Sequence, residues 1–406
     1  MKKLRVIGQV IIGITFIFSG FVKAVDPVGV AIKISDYFEA FHLGALTPMA
    51  MGFAILIAAF EFLLGAHLVM GLRIRLLAIP TLILVSFFTV LTLYLAIYNP
   101  VSDCGCFGDA IKLTNWQTFF KNLVLLPFAL IIFENRKSVK EPISSNRSLF
   151  LSAIYAVFIL GLIYYCLTFL PIIDFRPYQT GTNIPSEMSV PNGEKQDQYE
   201  TSFILEKKGV QKEFGVDDYP YTDSSWVFID SKTKLIQKGY DPPAKNFALM
   251  DAEGNNVSDI ILNHVKPVIL IIVPKLEDVK INDWSNLGLL KDICVKNKTG
   301  LYVVTSSLSE EIVRFESAAR ADFEFLFADE TLLKTITRAN PGIVLINNGT
   351  ILGKWNYNRV DEINLFEKPL EATLIMNQER SNWVLVFACL FLLIAGTSII
   401  YRNKHN

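Results

Sequence analysis

Cys104 and Cys106 stand two positions apart in Cys104-Gly105-Cys106-Phe107-Gly108, a short loop between two long apolar segments. The chain holds five cysteines in 406 residues. Gly105 can take φ > 0, and a pair this close forms a disulfide only through a cramped ring. Strained, exposed disulfides are the more oxidising and labile kind. The residues therefore point to thiol–disulfide exchange. A static structural disulfide and half of a metal site are the other readings. A metal site usually wants four ligands, and no second Cys/His cluster is visible, so no metal ligand is expected. Asp103, next to the pair, is expected to favour the thiol over the thiolate.

The elements that must position this loop are membrane spans. The hydrophobic fraction is 51% and the charged fraction 19%, which fits a membrane protein with a soluble part. Net charge is −1, so no basic field marks a nucleic-acid partner. Apolar runs cover Val6–Val25, Ala45–Met70, Leu76–Tyr98, Trp116–Phe133, Leu149–Leu170 and Trp383–Tyr401. Each is near the ~20 residues a helix needs to cross a bilayer. Six spans and contact with lipid are expected. A basic start makes the first run a candidate signal peptide, but it is long and lacks an A-x-A-like site. Basic clusters at Lys2/Lys3/Arg5, Arg73/Arg75, Arg136–Arg147 and Arg402/Lys404 fall on one side if every run spans. The positive-inside rule makes that side the cytoplasm, with both termini inside. The cysteine loop then faces the periplasm of a bacterial inner membrane, as do residues 172–380.

Polar residues inside these runs are the other chemical candidates. Glu61 lies mid-span, where a carboxyl is costly unless protonated or paired. It could relay a proton from dithiol oxidation, hydrogen-bond a quinone oxygen, or pair with Lys23 or Lys121. His67 is expected near the cytoplasmic interface, with a proton or quinone role as the sharper alternative. Lys23 reads first as an interfacial anchor, then as a residue that could lower a thiol pKa. Cys166 and Cys389 read as small membrane hydrophobes and Cys294 as core. A quinone is the expected cofactor because the chain shows no nucleotide, haem or flavin motif. The catalytic set is Cys104, Cys106 and Glu61, and the quinone set is Glu61, His67 and Lys23.

Five regions follow: spans one to four (1–135), a fifth span (148–171), a linker and β-rich module (172–245), an α/β domain (246–380) and a sixth span (383–401). Between spans one and two, Val28–Phe41 reads as an amphipathic helix on the membrane surface or a lid on the bundle. In the module, Thr201–Leu205 and Val210–Phe214 flank one turn, and Ser225–Asp230 and Lys234–Gln237 another. From Asn246 the order is βαβαβαββ, with a hairpin across Asn348-Gly349.

Two segments resemble known families. Ser19-Gly20-Phe21-Val22-Lys23 with Asp26-Pro27, then Glu61-Phe62-Leu63-Leu64-Gly65 ending at Gly71, then Asp103-Cys104-Gly105-Cys106-Phe107-Gly108, resemble the MauE/DoxX group (methylamine utilisation protein E type). The resemblance implies a four-helix membrane bundle broadly similar to vitamin K epoxide reductase. It also implies a role in forming disulfides during maturation of a periplasmic protein. Asn246–Asp251 before Gly254, the strand Pro267–Val273, and Asn340-Pro341-Gly342 resemble the thioredoxin-like fold, with Pro341 at its cis-proline position. The place of that fold's C-x-x-C reads Pro274-Lys275-Leu276-Glu277-Asp278, so the resemblance implies the fold without the redox activity.

Two function classes follow. One is a thiol–disulfide oxidoreductase whose CGC pair takes electrons from a periplasmic client and passes them toward a membrane quinone. The other is a non-enzymatic scaffold or assembly factor. In it the CGC pair is a staple and the exterior domain binds an envelope partner.

Overall fold

The computed structural model describes residues 2–362 apart from 102, 141, 196–197, 238, 265, 280–289, 293, 296–298 and 320–322. The expected last helix near Leu365–Met376, the sixth span and Cys389 lie outside the described residues. The helical part is built from α1 (Lys2–Val25), α2 (Pro27–Ala40), α3 (Ala50–Met70), α4 (Ile74–Tyr98), α5 (Asn115–Glu134) and α6 (Ser145–Phe169). All but α2 belong to segments long and apolar enough to cross a bilayer, giving five candidate spans among the described residues. Their outer faces present bare apolar side chains, among them Leu56, Ile83, Val90, Val157 and Tyr164. A water-facing surface would not tolerate that, whereas lipid does. The chain is a membrane protein with a soluble β-containing region after its helices.

Two glycines set the closest crossing in the bundle. A Cβ on Gly20 of α1 would stand 2.5 Å from the Phe62 nitrogen of α3. One on Gly65 would stand 2.6 Å from the Gly13 carbonyl oxygen. Small residues let membrane helices touch backbone to backbone. This contact brings the Ser19–Lys23 turn against the middle of α3. α6 joins the pair, burying Leu151, Tyr155, Ile159 and Cys166 against Ala24, Ala58 and Phe62. Asp26 ends α1's run and caps α2, its carboxylate accepting from the Gly29 N–H at 2.9 Å, with Pro27 at the first helical position. α2 then folds over the bundle, burying Val30 and Ala31 against Ala50 and Ala54. The segment is a lid packed on the bundle, which is compatible with the expected place on the membrane surface.

The three-stranded sheet has the order β2-β1-β3 and is antiparallel, with β1 Gln198–Lys207, β2 Val210–Gly215 and β3 Val227–Gln237. The turn expected near residue 231 is absent, because β3 pairs with β1 along almost its whole length.

The larger sheet runs β6-β5-β4-β7-β8. Its strands are β4 Val268–Val273, β5 Gly300–Thr305, β6 Glu324–Phe327, β7 Gly342–Asn347 and β8 Thr350–Asn356. β4, β5 and β6 are parallel, and β7 and β8 antiparallel to their neighbours. Every residue of β4 is buried, as expected of a strand covered on both faces. The Asn340–Pro341 peptide is cis. The segment read as linker does more than connect. Tyr178 and Ile184 lie in this domain's core, and Thr182 and Gly349 accept hydrogen bonds from Ile351 and Ile184.

α6 enters the domain through a buried ionic joint. Asp174 accepts from Lys354 Nζ at 2.8 Å and from Arg176 Nε at 2.7 Å. The same two cations donate to the Ile336 and Thr335 carbonyls at 2.7 and 3.0 Å, closing the end of helix Glu330–Ile336. Burial pushes Asp174 up, but Lys354 and Arg176 together hold its carboxyl below the usual range.

The α1–α3 crossing gives a direct test. Gly20→Ala has no room for its methyl without moving backbone, and should destabilise the detergent-solubilised protein by about 2 kcal/mol. Thermal unfolding should show this as a lowered Tm.

Candidate functional site

The CGC loop sits on a buried polar node at the α1–α3 crossing. Lys23 Nζ lies 2.6 Å from Glu61 Oε2, with the two residues 6% and 2% exposed. Lys23 also donates to Ser19 Oγ at 2.7 Å. Ser19 Oγ is in turn 2.7 Å from both Glu61 Oε2 and the Cys106 carbonyl oxygen. One hydroxyl carries one proton, so Ser19 can donate to only one of these acceptors at a time. Lys23 and Ser19 are four residues apart on α1, one above the other on the face turned to α3. Of the partners considered for Glu61, the structure selects Lys23. The interfacial-anchor expectation for Lys23 is corrected, because the carboxylate across the crossing draws its ammonium inward.

The loop is fixed from its other sides by α2 and α5. Tyr37 donates to the Cys104 carbonyl at 2.9 Å. Lys33 meets Asp103 at 3.3 Å, and Asp103 accepts from the Gly105 N–H at 2.9 Å. Gly105 adopts φ +64° against the Lys33 stem, where a Cβ would approach to 2.8 Å. Phe107 packs edge-on to Phe18 and lies under Lys121, whose ammonium is 4.3 Å from the ring centroid. Lys121 had been a candidate partner for Glu61, but it turns to this ring.

Cys104 and Cys106 are not joined by a disulfide, and their sulfurs lie 2.8 Å apart. Cys104 is 8% exposed, in an apolar nest with Leu95 and Val101 that Tyr37 and Ala40 close. Cys106 is less enclosed. The hydrogen bond from Cys104 pulls the Cys106 thiol down to about 6. Lys121 and Lys23 add to this, while burial and Glu61 oppose it. The same hydrogen bond, then burial, pushes Cys104 well up. The pair thus consists of one thiolate and one thiol that donates to it. The Asp103 carboxylate is engaged by Lys33 and the Gly105 amide. Burial, then neighbouring Cys104, pushes the Tyr37 phenol up, so it stays a donor.

His67 stands apart from this assembly. Its Nε2 is 2.7 Å from Ser152 Oγ on α6 and its Nδ1 2.6 Å from the Leu63 carbonyl oxygen. It is buried, because α6 covers that face of α3, and it lies in the last turn of that helix. The residues expected to hold a quinone do not form a cradle for one. His67 is committed to α6, and Lys23 and Glu61 engage each other. Cys166 lies in the α1–α3–α6 core and Cys294 in the core of the larger sheet. Among the described residues no group of three or more His, Cys, Asp or Glu could hold a metal.

Helices α1 to α4, nearly all of α5 and the loop lie within a single family match, which α6 lies beyond. Residues 1–133 match the family model for methylamine utilisation protein MauE. The MauE-like part therefore contains every residue of the node and the thiol pair. Residues 199–238, the three-stranded sheet, match a domain of unknown function, DUF8463. No curated protein and no solved structure matches the chain.

Sequence reasoning missed three contributors: Ser19, Lys33 and Tyr37. It singled out Lys121, a lysine inside an apolar run, but with Glu61 rather than the Phe107 ring as its partner. Two outcomes follow. Alkylation of Cys106 should rise with pH through an inflection near 6, since only the thiolate reacts. Lys121→Met should move that inflection up by about one unit, by loss of a neighbouring positive charge. Timed iodoacetamide labelling across pH checks both.

Proposed function

We propose that this MauE-like membrane protein performs thiol–disulfide exchange at the CGC loop. The observation that carries the reading is the polarised pair, a Cys106 sulfur held toward thiolate by a Cys104 thiol 2.8 Å away. In the oxidised form, a thiolate of the client attacks one sulfur of the Cys104–Cys106 disulfide and forms a mixed disulfide. The client's second thiol, after losing its proton, breaks that bond. The client leaves oxidised, and the pair regains two electrons, with the proton returned on Cys104. Cys106 is the better leaving group, because Lys121 and Lys23 stay near it as its sulfur takes on charge, and a stabilised thiolate departs faster. Cys104 is therefore the favoured point of attack, and α2 controls the approach to it.

The buried Lys23–Glu61–Ser19 node supplies a fixed polar support below Cys106. The expected roles of Glu61 in proton relay and of a lipid quinone as final two-electron acceptor stay within this proposal. The client is proposed to be a periplasmic or envelope protein. Orientation follows the positive-inside rule, with both termini cytoplasmic and the CGC loop and exterior domain periplasmic. The order and directions of the larger sheet, and its lack of a thiol pair after β4, support a thioredoxin-like domain that holds the client rather than reacting with it.

The scaffold reading is favoured by one observation only, the tight seating of the loop by α2. Acid quenching of intact cells followed by differential alkylation separates the two. The exchange reading expects Cys104 and Cys106 to shift between thiol and disulfide when cells are treated with reductant and then recover. It also expects Cys104→Ser and Cys106→Ser to abolish client oxidation. A pair that stays in one state, with full function in both serine variants, would leave the scaffold.

A further inference from the structure

Arg338 comes from the exterior domain, just past helix Glu330–Ile336, yet it reaches the membrane part. Its Nε lies 3.1 and 3.0 Å from the two carboxylate oxygens of Asp26, and its terminal nitrogen 2.9 Å from Asp26 Oδ2. The same terminal nitrogen is 3.0 Å from Asp109 Oδ2. Its other terminal nitrogen donates to the Lys334 carbonyl at 2.7 Å. The Arg338 side chain is 9% exposed and that of Asp26 13%. The fork of a guanidinium suits such a shared grip, which an ammonium cannot reproduce.

The two carboxylates are placed on different parts of the thiol site. Asp26 caps α2, the helix that closes over Cys104 through Tyr37 and holds Asp103 through Lys33. Asp109 is three residues past Cys106, at the far end of the same loop. Arg338 therefore fastens the start of the lid to the end of the loop. The exterior domain cannot lift Arg338 away freely, because the Asp174–Lys354–Arg176 joint ties the same helix end to α6.

We infer that Arg338 is a positioning residue of the thiol pair, a clamp by which the exterior domain holds α2 closed over Cys104. Release of the clamp frees one end of α2 and one end of the loop together, and opens the sulfur that the exchange reading makes the point of attack. A client docking on the exterior domain near Arg338 would compete for the guanidinium and so open the site it needs. The inference deepens the proposed exchange, but its test reads thiol access and stands whether or not the pair cycles.

The test uses the reduced full-length protein in membrane vesicles, a small maleimide, and mass spectrometry of each cysteine over time. Arg338→Gln should speed labelling of Cys104 by about tenfold, the scale of losing one buried charged contact that opposes a local opening. Cys294 should stay protected, which reports an intact exterior domain. Arg338→Lys should fall between the two, since a lysine reaches one carboxylate at a time. Asp109→Asn, which leaves the exterior domain untouched, should give part of the gain. Unchanged Cys104 labelling in Arg338→Gln with Cys294 protected would overturn the inference. If Arg338→Gln also exposes Cys294, Asp109→Asn decides: faster Cys104 labelling with Cys294 protected supports the clamp, and no change overturns it.

Discussion

The buried contact between Lys23 and Glu61 is the interaction on which the thiol site rests. A charged side chain inside a bilayer is costly alone, and a broken buried pair leaves one partner uncompensated. The pair is possible because Gly20 and Gly65 let α1 and α3 touch, so a short reach spans the two helices. Ser19 then passes the order upward, since its hydroxyl stands between Glu61 and the Cys106 carbonyl. A loop that would otherwise lie loose at the bundle mouth is seated on a fixed polar post. Replacing the pair with apolar side chains would remove two charges that act on Cys106 in opposite directions, beside the larger effect of the Cys104 hydrogen bond.

The site is built from outside as well. α2 lays Tyr37 and Lys33 on the loop, and the soluble domain reaches both α2 and the loop through Arg338. Membrane bundle, lid and soluble domain thus meet within a few residues of two sulfurs.

Much of this was legible in the sequence, for identifiable reasons. The spans show as long apolar runs, and the strands of the larger sheet as continuous or hairpin-bounded apolar segments. The CGC pair announces itself by spacing, and Glu61 by being a carboxyl in an apolar run. What the sequence hid were contacts between distant elements. Lys23 reads as an anchor because nothing local shows that α1 crosses α3 at Glu61. The cover that α6 lays over His67 is tertiary too, and nothing local announces its Ser152 partner. Residues 178–184 read as linker because the stretch Arg176–Gln198 around them is rich in Pro, Gly, Ser, Thr and Asn, while Ile184 in fact fills the domain core. Asp26 reads as a helix break, which it is, but its second task depends on an arginine 312 residues away.

The most direct test of the account measures the Cys106 thiolate in Lys23→Met, Glu61→Gln and the double variant, by ultraviolet titration of the reduced protein in detergent. If the node sets the electrostatics of the pair, Lys23→Met raises the Cys106 pKa, Glu61→Gln lowers it, and the double variant returns close to the parent. Shifts in the same direction, or no shift in either single variant, would contradict it.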